Sequence, residues 1–188
     1  MIRKNQQLLQ VVQQLAKDNN SASAIVQRNL QAGQQLIQQH QSCKQVYVIK
    51  SGVVKCFVTE DNGKEYILEF LGEGEVLGEI EALRKMPAFS SVQALTPLTL
   101  YAMSTAQFHH FIKASPGFSA VILELLATRV ANAALKSATQ QLYTLSHTLP
   151  QLLSALNAQG IHFTKQDLSQ YLGISVRSLN RLLKTMEV

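Results

Sequence analysis

The stretch between Pro116 and Pro150 constrains the fold of this chain most. After Gly117 it continues for about thirty residues without a glycine or a proline, and it carries three Lys, Arg, Asp or Glu side chains. A stretch without helix breakers predicts one long helix. So apolar a helix must bury its face, in part against the rest of the chain and in part against a second copy. We therefore predict a homodimer whose seam contains Val121, Ile122, Leu125, Leu126, Val130, Ala133 and Leu142.

Before Met103 the sequence has the pattern of short β-strands. Six of the nine glycines lie between Gly33 and Gly78. Short strands separated by such turn signals favour a small antiparallel barrel or jelly roll, so the fold class is predicted as α+β. The dipeptide Asn62-Gly63 predicts a two-residue hairpin, in which both central residues have positive φ. The segments predicted as strands are QLIQ, VYVI, VVKCFVT, YILEF, SSVQAL and LTLYAM.

Two shorter helices are predicted, one on each side of the strands. Near the N-terminus, LLQVVQQLA keeps apolar residues at helical spacing in a glutamine-rich region. After Met103, STAQFHHFIKAS begins with a Ser/Thr cap and places Phe108, Phe111 and Ile112 on one face. With 188 residues in all, one large domain or two small ones are compatible with the length.

Charge is distributed unevenly along the chain. From Glu60 to Glu81 eight carboxylates accompany one lysine, whereas from Ala127 onward six Lys and Arg residues accompany Asp167 and Glu187. The formal net charge is +5. A basic C-terminal third indicates a polyanionic partner.

A helix-turn-helix unit is predicted in FTKQDLSQYLGISVRSLNRLLKTMEV, after a short helix that ends at Gly160. Thr164 and Ser175 are candidate N-caps, and Gly173 separates the two helices. The side chains that point outward from the second helix are of the types that contact base edges and phosphates in DNA. The alternative is an ordinary helical hairpin with a solvated basic face. The outward residues are Arg177, Ser178, Asn180, Arg181 and Lys184.

The sequence lacks the signals that are typical of several other classes of protein. The two cysteines, Cys43 and Cys56, form no CxxC pair, so we predict neither a disulfide framework nor a metal centre. No uninterrupted apolar run approaches the 18 residues that a membrane span needs, so a cytoplasmic protein without a membrane partner is expected. The GEGEVLG stretch departs from the dinucleotide-binding spacing, and no catalytic motif is apparent. We therefore predict that the protein is not an enzyme.

The motifs together resemble those of the CRP/FNR family of bacterial transcription regulators. The resemblance covers about Ala32 to Val188. It implies a cyclic-nucleotide-binding-like β-roll at residues 1–115, a long dimerisation helix at 116–148 and a helix-turn-helix at 149–188. It also implies sequence-specific binding of double-stranded DNA at a roughly palindromic operator, with RNA polymerase as a further partner. The motifs are AGQQLIQQ, VYVIKSGVVKCFVTEDNGKEYILEFLGEGEVLGEIEAL and TKQDLSQYLGISVRSLNRLLK.

The resemblance gives roles to the predicted DNA-binding residues. Arg177 and Arg181 are expected to read bases, while Lys165 and Lys184 mostly contact phosphate. Familiar members begin the recognition helix with an Arg-Glu pair, and Val176 and Arg177 occupy those places here. We therefore expect a different operator. The predicted DNA-binding set is Lys165, Ser175, Val176, Arg177, Ser178, Asn180, Arg181 and Lys184.

The resemblance also implies a ligand pocket, but a degenerate one, at Gly78, Glu79, Ser90 and Ser91. Members that bind cAMP have an Arg followed by Ser or Thr after the short helix of the pocket, where this chain has AFSS at 88–91. Their Thr-Ser pair on the adenine is replaced by Ala133 and Ala134. We therefore expect no cAMP binding and no cofactor, as in the orphan regulators of the family. An apolar or uncharged ligand and a pocket closed by Phe89 both stay open.

Two further expectations concern charge and the end of the chain. Arg84 and Lys85 lie one turn beyond Glu79 and Glu81 and are expected to neutralise them. The chain stops at Val188, directly after the recognition helix, where relatives continue into a β-hairpin wing. A runner-up function is a signalling or scaffold protein that binds a cyclic-nucleotide-like ligand in its β-roll and does not bind DNA.

Overall fold

The computed structural model describes residues 2–17, 25–157 and 163–186. The strands of the described chain are β1 (Ile2–Arg3), β2 (Val26–Leu30), β3 (Gln35–Ile37), β4 (Gln45–Ser51), β5 (Val54–Thr59), β6 (Glu65–Leu71), β7 (Val76–Leu77), β8 (Ser91–Ala94) and β9 (Leu98–Ser104). The helices are α1 (Gln6–Lys17), α2 (Glu79–Arg84), α3 (Thr105–Ala114), α4 (Pro116–Leu142), α5 (Leu145–Asn157), α6 (Lys165–Leu172) and α7 (Val176–Met186).

The strands form two sheets that enclose a common core. One sheet has the order β1-β6-β5-β8-β3 and the other has the order β2-β9-β4-β7. All the recorded pairings are antiparallel except the short parallel pairing of β1 with β6. Buried side chains from both sheets, including Ile49, Val54, Leu71 and Leu100, meet between them. The predicted α+β fold with an N-terminal antiparallel β-roll is confirmed.

The predicted two-residue hairpin at Asn62-Gly63 is wrong in detail. The amide of Gly63 donates to the carbonyl of Glu60 at 2.8 Å, and the amide of Glu60 donates to the carbonyl of Lys64 at 2.9 Å. Gly63 has a φ of 75°, whereas Asn62 is not among the residues with positive φ. The loop is therefore longer, and a single left-handed glycine matches its backbone to the twist of β5 and β6.

Helices α1 and α3 pack against the first half of α4 and against the roll. Their shared core contains Leu8, Val12, Phe108, Phe118 and Ile122, and burying each such side chain stabilises the fold by about 1.5–3 kcal/mol. Helix α4 begins with Pro116 in its first turn, where proline lacks only an N–H that has no helical partner. Both flanking helices predicted from the sequence are present.

The long helix is shorter than its predicted extent. Helix α4 ends at Leu142, and Tyr143 has an extended backbone with φ −123° and ψ 146°. A new helix, α5, begins at Leu145 and contains Pro150. The change of direction lets Leu149 and Leu156 enter a second core, which an uninterrupted helix to Pro150 would not permit. The domain boundaries at 115 and 148 stay predictions.

The C-terminal helices α5, α6 and α7 surround this second core, which contains Leu149, Leu156, Leu168 and Leu179. Thr164 caps α6 in a reciprocal capping box with Asp167, and such caps stabilise a helix by about 1 kcal/mol. Gly173 ends α6 with a φ of 69°, a conformation that glycine adopts without strain. The predicted helix-turn-helix is present, and the predicted cap at Gly160 lies outside the described residues.

One helix in the described part of the chain, α4, is long and apolar enough to cross a membrane, with a mean hydropathy of 1.5. A helix packed on protein can meet the same criteria. Arg129 and Lys136 of α4 both donate hydrogen bonds to backbone carbonyls of the roll, at 2.8 and 3.0 Å. The absence of a membrane partner stays a prediction.

Candidate functional site

Helix α7 carries a basic face, which we call the recognition face and which consists of Arg177, Asn180, Arg181 and Lys184. Arg177, Arg181 and Lys184 are exposed, and their spacing of four and three residues places them on one side of the helix. The four side chains surround a shallow surface depression. Lys165 of α6 donates to Oδ1 of Asn180 at 2.9 Å, so the predicted phosphate contact lies beside the recognition face.

The other residues predicted to bind DNA lie at the start of α7. Ser175 is exposed, and its Oγ accepts a hydrogen bond from the Ser178 amide at 3.1 Å. The hydroxyls of Ser175 and Ser178 are 3.0 Å apart and hydrogen-bonded. Val176 is half-buried. Ser175 therefore caps the helix, and its role in DNA binding stays a prediction together with those of Val176 and Ser178.

Helix α6 is attached to the β-roll, which leaves α7 on the outside. Lys55 of β5 donates to Oδ1 of Asp167 at 2.9 Å, and both side chains are largely buried. Beside this ion pair, the rings of Phe163 and Tyr171 pack on Phe70, with centroids 4.6 and 5.2 Å away. The first helix of the helix-turn-helix thus anchors the unit to the roll.

The pKa of Asp167 depends on burial and on the two hydrogen-bond partners of its carboxylate, Thr164 in the capping box and Lys55 on the roll. Burial raises the pKa, but hydrogen bonds from Thr164 and Lys55 and the charge of Lys55 outweigh burial and hold it below its ordinary value of 3.8. The carboxylate is therefore charged near neutral pH and binds α6 to the roll in that form.

A cavity of about 580 Å³, which we call the roll cavity, lies between the five-stranded sheet, α2 and α4. Gly78, Glu79 and Ser90 line it, as expected for the predicted pocket. Ser91 does not, because it is buried elsewhere and its Oγ accepts the Gln39 amide at 3.0 Å. Phe89 forms part of the wall and is itself 39% exposed, so the alternative of a pocket closed by Phe89 does not hold.

Arg129 of α4, which the sequence did not single out, is the cation that pairs with Glu79. It also donates to Glu75 at 2.7 Å. The expectation that Arg84 and Lys85 neutralise Glu79 and Glu81 is therefore wrong, since both basic residues are exposed and form none of the recorded ion pairs. A lone arginine four residues after the buried Leu125 was the available signal, because that spacing continues the face of α4 that packs on the roll.

Burial and charge act in opposite directions on this ion pair. Burial raises the pKa of Glu79, and the charge of Arg129 lowers it in part. Burial lowers the pKa of Arg129, but the charges of Glu79 and Glu75 outweigh burial and raise it. Arg129 therefore stays protonated, and its charge is already neutralised within the protein.

Glu81, the second carboxylate of α2, has a different environment. It is only 6% exposed and lines the roll cavity. Its Oε1 accepts the amide of Phe89 at 3.2 Å. Among the residues that the structure describes, no lysine or arginine forms an ion pair with Glu81. The cavity thus contains one largely buried carboxylate that no cation neutralises directly.

Lys136 and two tyrosines connect the cavity with α6. The Lys136 ammonium lies 4.0 Å from the ring centroid of Tyr171 and 5.1 Å from that of Tyr66, positions in which a cation is attracted to the ring face. Gln140 donates to the Tyr66 hydroxyl at 3.2 Å. All four side chains line the cavity, so its wall includes part of the helix-turn-helix.

The predicted dimer seam is divided between two faces of α4. Val121, Ile122 and Leu125 are buried in the core of their own chain, so the prediction that these three residues form the seam is wrong. Leu126 is half-buried against the same core. Val130, Ala133 and Leu142 are exposed, and Val130 and Ala133 also line the roll cavity. The sequence interpretation did not select Leu123 or Leu135. We call four side chains that are 66–76% exposed the outer face of α4: Leu123, Val130, Leu135 and Leu142.

In the described ranges, no group of three or more His, Cys, Asp and Glu residues lies close enough together to hold a metal ion.

Comparisons with known proteins agree with this architecture. Residues 27–115 match the family model of the cyclic nucleotide-binding domain. The chain is 27% identical over 164 residues to the cAMP-activated global transcriptional regulator CRP of Salmonella typhimurium. The alignment covers 81% of this chain and 78% of the relative.

Two solved structures share the fold. The c-di-GMP responsive global regulator CLP of Xanthomonas campestris has a TM-score of 0.77 and 19% identity, with 88% of this chain and 87% of that chain covered. A Eubacterium rectale protein assigned to the crp/fnr family of transcriptional regulators has a TM-score of 0.75 and 17% identity, with 94% and 82% covered.

Proposed function

We propose that this chain is a transcription regulator of the CRP/FNR type that binds specific double-stranded DNA as a homodimer without needing cAMP. The observation that carries the proposal is the exposed recognition face on α7, in a helix-turn-helix whose first helix is anchored to the roll. The proposal includes a cytoplasmic location and no enzymatic activity.

The recognition face has the side chains that base reading requires. Arginine donates two hydrogen bonds to guanine, asparagine pairs with adenine, and lysine neutralises phosphate. Arg177 and Arg181 are exposed and one turn apart, so both reach the floor of a major groove when α7 enters it. We assign base contacts to these two arginines and phosphate contacts to Lys165 and Lys184.

The outer face of α4 supports a homodimer. Its four large apolar side chains contact little of their own chain, and the alanines between them allow a second helix to approach closely. A two-fold dimer presents two α7 helices to one side of the duplex, which predicts half-sites about 34 Å apart in a roughly palindromic operator.

The roll cavity supports independence from cAMP. A phosphodiester needs free cations and N–H donors, and the segment Ala88–Ser91 supplies no arginine. Arg129 is neutralised by Glu75 and Glu79, and the Phe89 amide already donates to Glu81. A bound phosphate would therefore lie beside an unneutralised carboxylate, which disfavours it electrostatically.

The direct test is selection of bound duplexes from a random DNA pool, with the full chain and no nucleotide added. We expect enrichment of a palindrome whose half-sites are separated by about one helical turn. The same selection with Arg177→Ala and Arg181→Ala combined should lose the consensus, whereas Arg84→Ala, which removes an exposed arginine from α2, should keep it. Recovery of random sequence with the unaltered chain would favour the signalling or scaffold function.

A further inference from the structure

Building on the proposed absence of a cyclic-nucleotide site, we propose that the roll cavity binds a small cationic amphiphile: a molecule with an apolar body and a protonated amine that lies against Glu81. The cavity volume of about 580 Å³ is within the range of small-molecule sites, roughly 300–1,000 Å³. The class of ligand follows from the charges and the apolar surface that line it.

The cations that line the described wall are all engaged. Arg3 pairs with Glu69 at 2.7 Å and with Glu75 at 3.5 Å, and Arg129 pairs with Glu75 and Glu79. Lys136 donates to the Leu68 carbonyl at 3.0 Å and lies over two tyrosine rings. An anionic ligand would find no free cation on this wall.

Some N–H groups of Arg3 and Arg129 have no hydrogen-bond partner, but they do not favour an anion. These groups are the Nε and Nη1 of Arg3 and the Nε of Arg129, and each atom is buried from solvent. A ligand in the cavity therefore reaches them only if the surrounding side chains move. Both guanidinium groups are already neutralised by carboxylates, so the unbonded N–H groups leave no net positive charge for the ligand.

Glu81 is the group that lacks a counterion. The carboxylate is largely buried and lines the cavity, and the neutral amide of Phe89 is its recorded hydrogen-bond donor. A charge in such surroundings is stable only when it is paired or well hydrated. A protonated amine would neutralise Glu81 with a charge-assisted hydrogen bond, which a neutral hydroxyl provides only weakly and a carboxylate opposes.

The rest of the wall suits an apolar body. The cavity is also lined by aliphatic side chains from α2, both sheets and α4, and by the ring of Phe89. An aromatic or aliphatic group of several carbons buries its surface there at about 25 cal/mol per Å². The apolar residues of this part are Ile37, Leu77, Ile80, Phe89, Val92 and Val130.

Isothermal titration with three probes that share one phenylbutyl body tests the charge class. The probes are 4-phenylbutylamine, 4-phenyl-1-butanol and 5-phenylvalerate at neutral pH, which differ in the head group and its charge. We expect the amine to bind at least about tenfold more tightly than the alcohol, and the carboxylate to bind most weakly. In Glu81→Gln, which keeps an oxygen for the Phe89 amide, the amine should bind no better than the alcohol.

The control is Glu124→Gln, which neutralises an exposed carboxylate on α4 and should keep the full preference for the amine. The proposal is overturned if the carboxylate binds best, if none of the three probes binds, or if Glu81→Gln keeps the preference. The probe series on the unaltered chain decides the matter even if Glu81→Gln does not fold. Binding of selected DNA, measured on the same preparation, shows separately whether the proposed function stands.

Discussion

At the scale of single residues, Asp167 has two structural tasks at once. It closes the capping box of α6 with Thr164, and it pairs with Lys55 on the β-roll. Thr164 and Gly173 could be assigned from the sequence because each acts on its own helix end. The partner of Asp167 could not be assigned, because Lys55 lies 112 residues away and no local pattern marks it.

Asp167→Asn should destabilise the fold by about 3–5 kcal/mol, because it leaves the largely buried Lys55 charge without its partner. Urea unfolding at neutral pH measures the loss. Asp61→Asn, at an exposed position in the turn after β5, should change stability little. Adding Lys55→Met to Asp167→Asn should recover part of the loss, and no recovery would mean that the capping box accounts for the whole effect.

The same carboxylate predicts a dependence on acid. The pKa of Asp167 is lower in the folded state than its ordinary value of 3.8. Its ionised form therefore contributes fully to the free energy of unfolding above pH 3.8, and this contribution is lost as pH falls through the folded pKa. The stability difference between the unaltered chain and Asp167→Asn should therefore shrink below about pH 4. A constant difference down to pH 2 would contradict the direction of this shift.

Arg181→Ala should weaken binding to the selected operator by about 1–3 kcal/mol and binding to random DNA by less, because a base contact contributes only at the right base pair. Lys184→Ala should weaken binding to both by similar amounts, because a phosphate contact carries no sequence information. Fluorescence anisotropy with labelled duplexes measures both. Equal losses on the two DNAs for Arg181→Ala would assign Arg181 to the backbone.

At the scale of elements, helix α4 shows what apolar spacing does and does not predict. The absence of glycine and proline correctly predicted a long helix, but apolar residues surround much of it, so the pattern did not identify the face that packs on the roll. Arg129 and Lys136, seven residues apart, lie on that face. Leu123 and Val130, also seven residues apart, lie on the outer face.

Replacing Leu135 with lysine should therefore convert dimer to monomer. The side chain is 66% exposed in the single chain, so the change should leave the fold of each chain intact while placing a charge in the proposed seam. Sedimentation velocity measures the mass, and far-ultraviolet circular dichroism checks the fold. Ala106→Lys, at an exposed site on α3, is the control, and an unchanged mass for Leu135→Lys would exclude the outer face as the seam.

At the scale of the whole molecule, the structure joins three parts whose sequence signals are separate. The strands, the long helix and the helix-turn-helix were predicted because their patterns are local or periodic. Their mutual arrangement was not, because it depends on pairs such as Lys55 with Asp167 and on Tyr171 packing against Phe70. The roll cavity lies where these parts meet, and for this reason Arg129 was absent from the predicted pocket.

The most direct test of the central claim is the salt dependence of binding to the selected operator and to a scrambled duplex, without nucleotide. We predict that log affinity falls with log salt by about 0.9 for each phosphate contact, that the operator stays preferred at every salt concentration, and that added cAMP changes neither result. Equal affinity for the two duplexes, or a preference that requires cAMP, would contradict the assignment of this chain as a cAMP-independent, sequence-specific regulator.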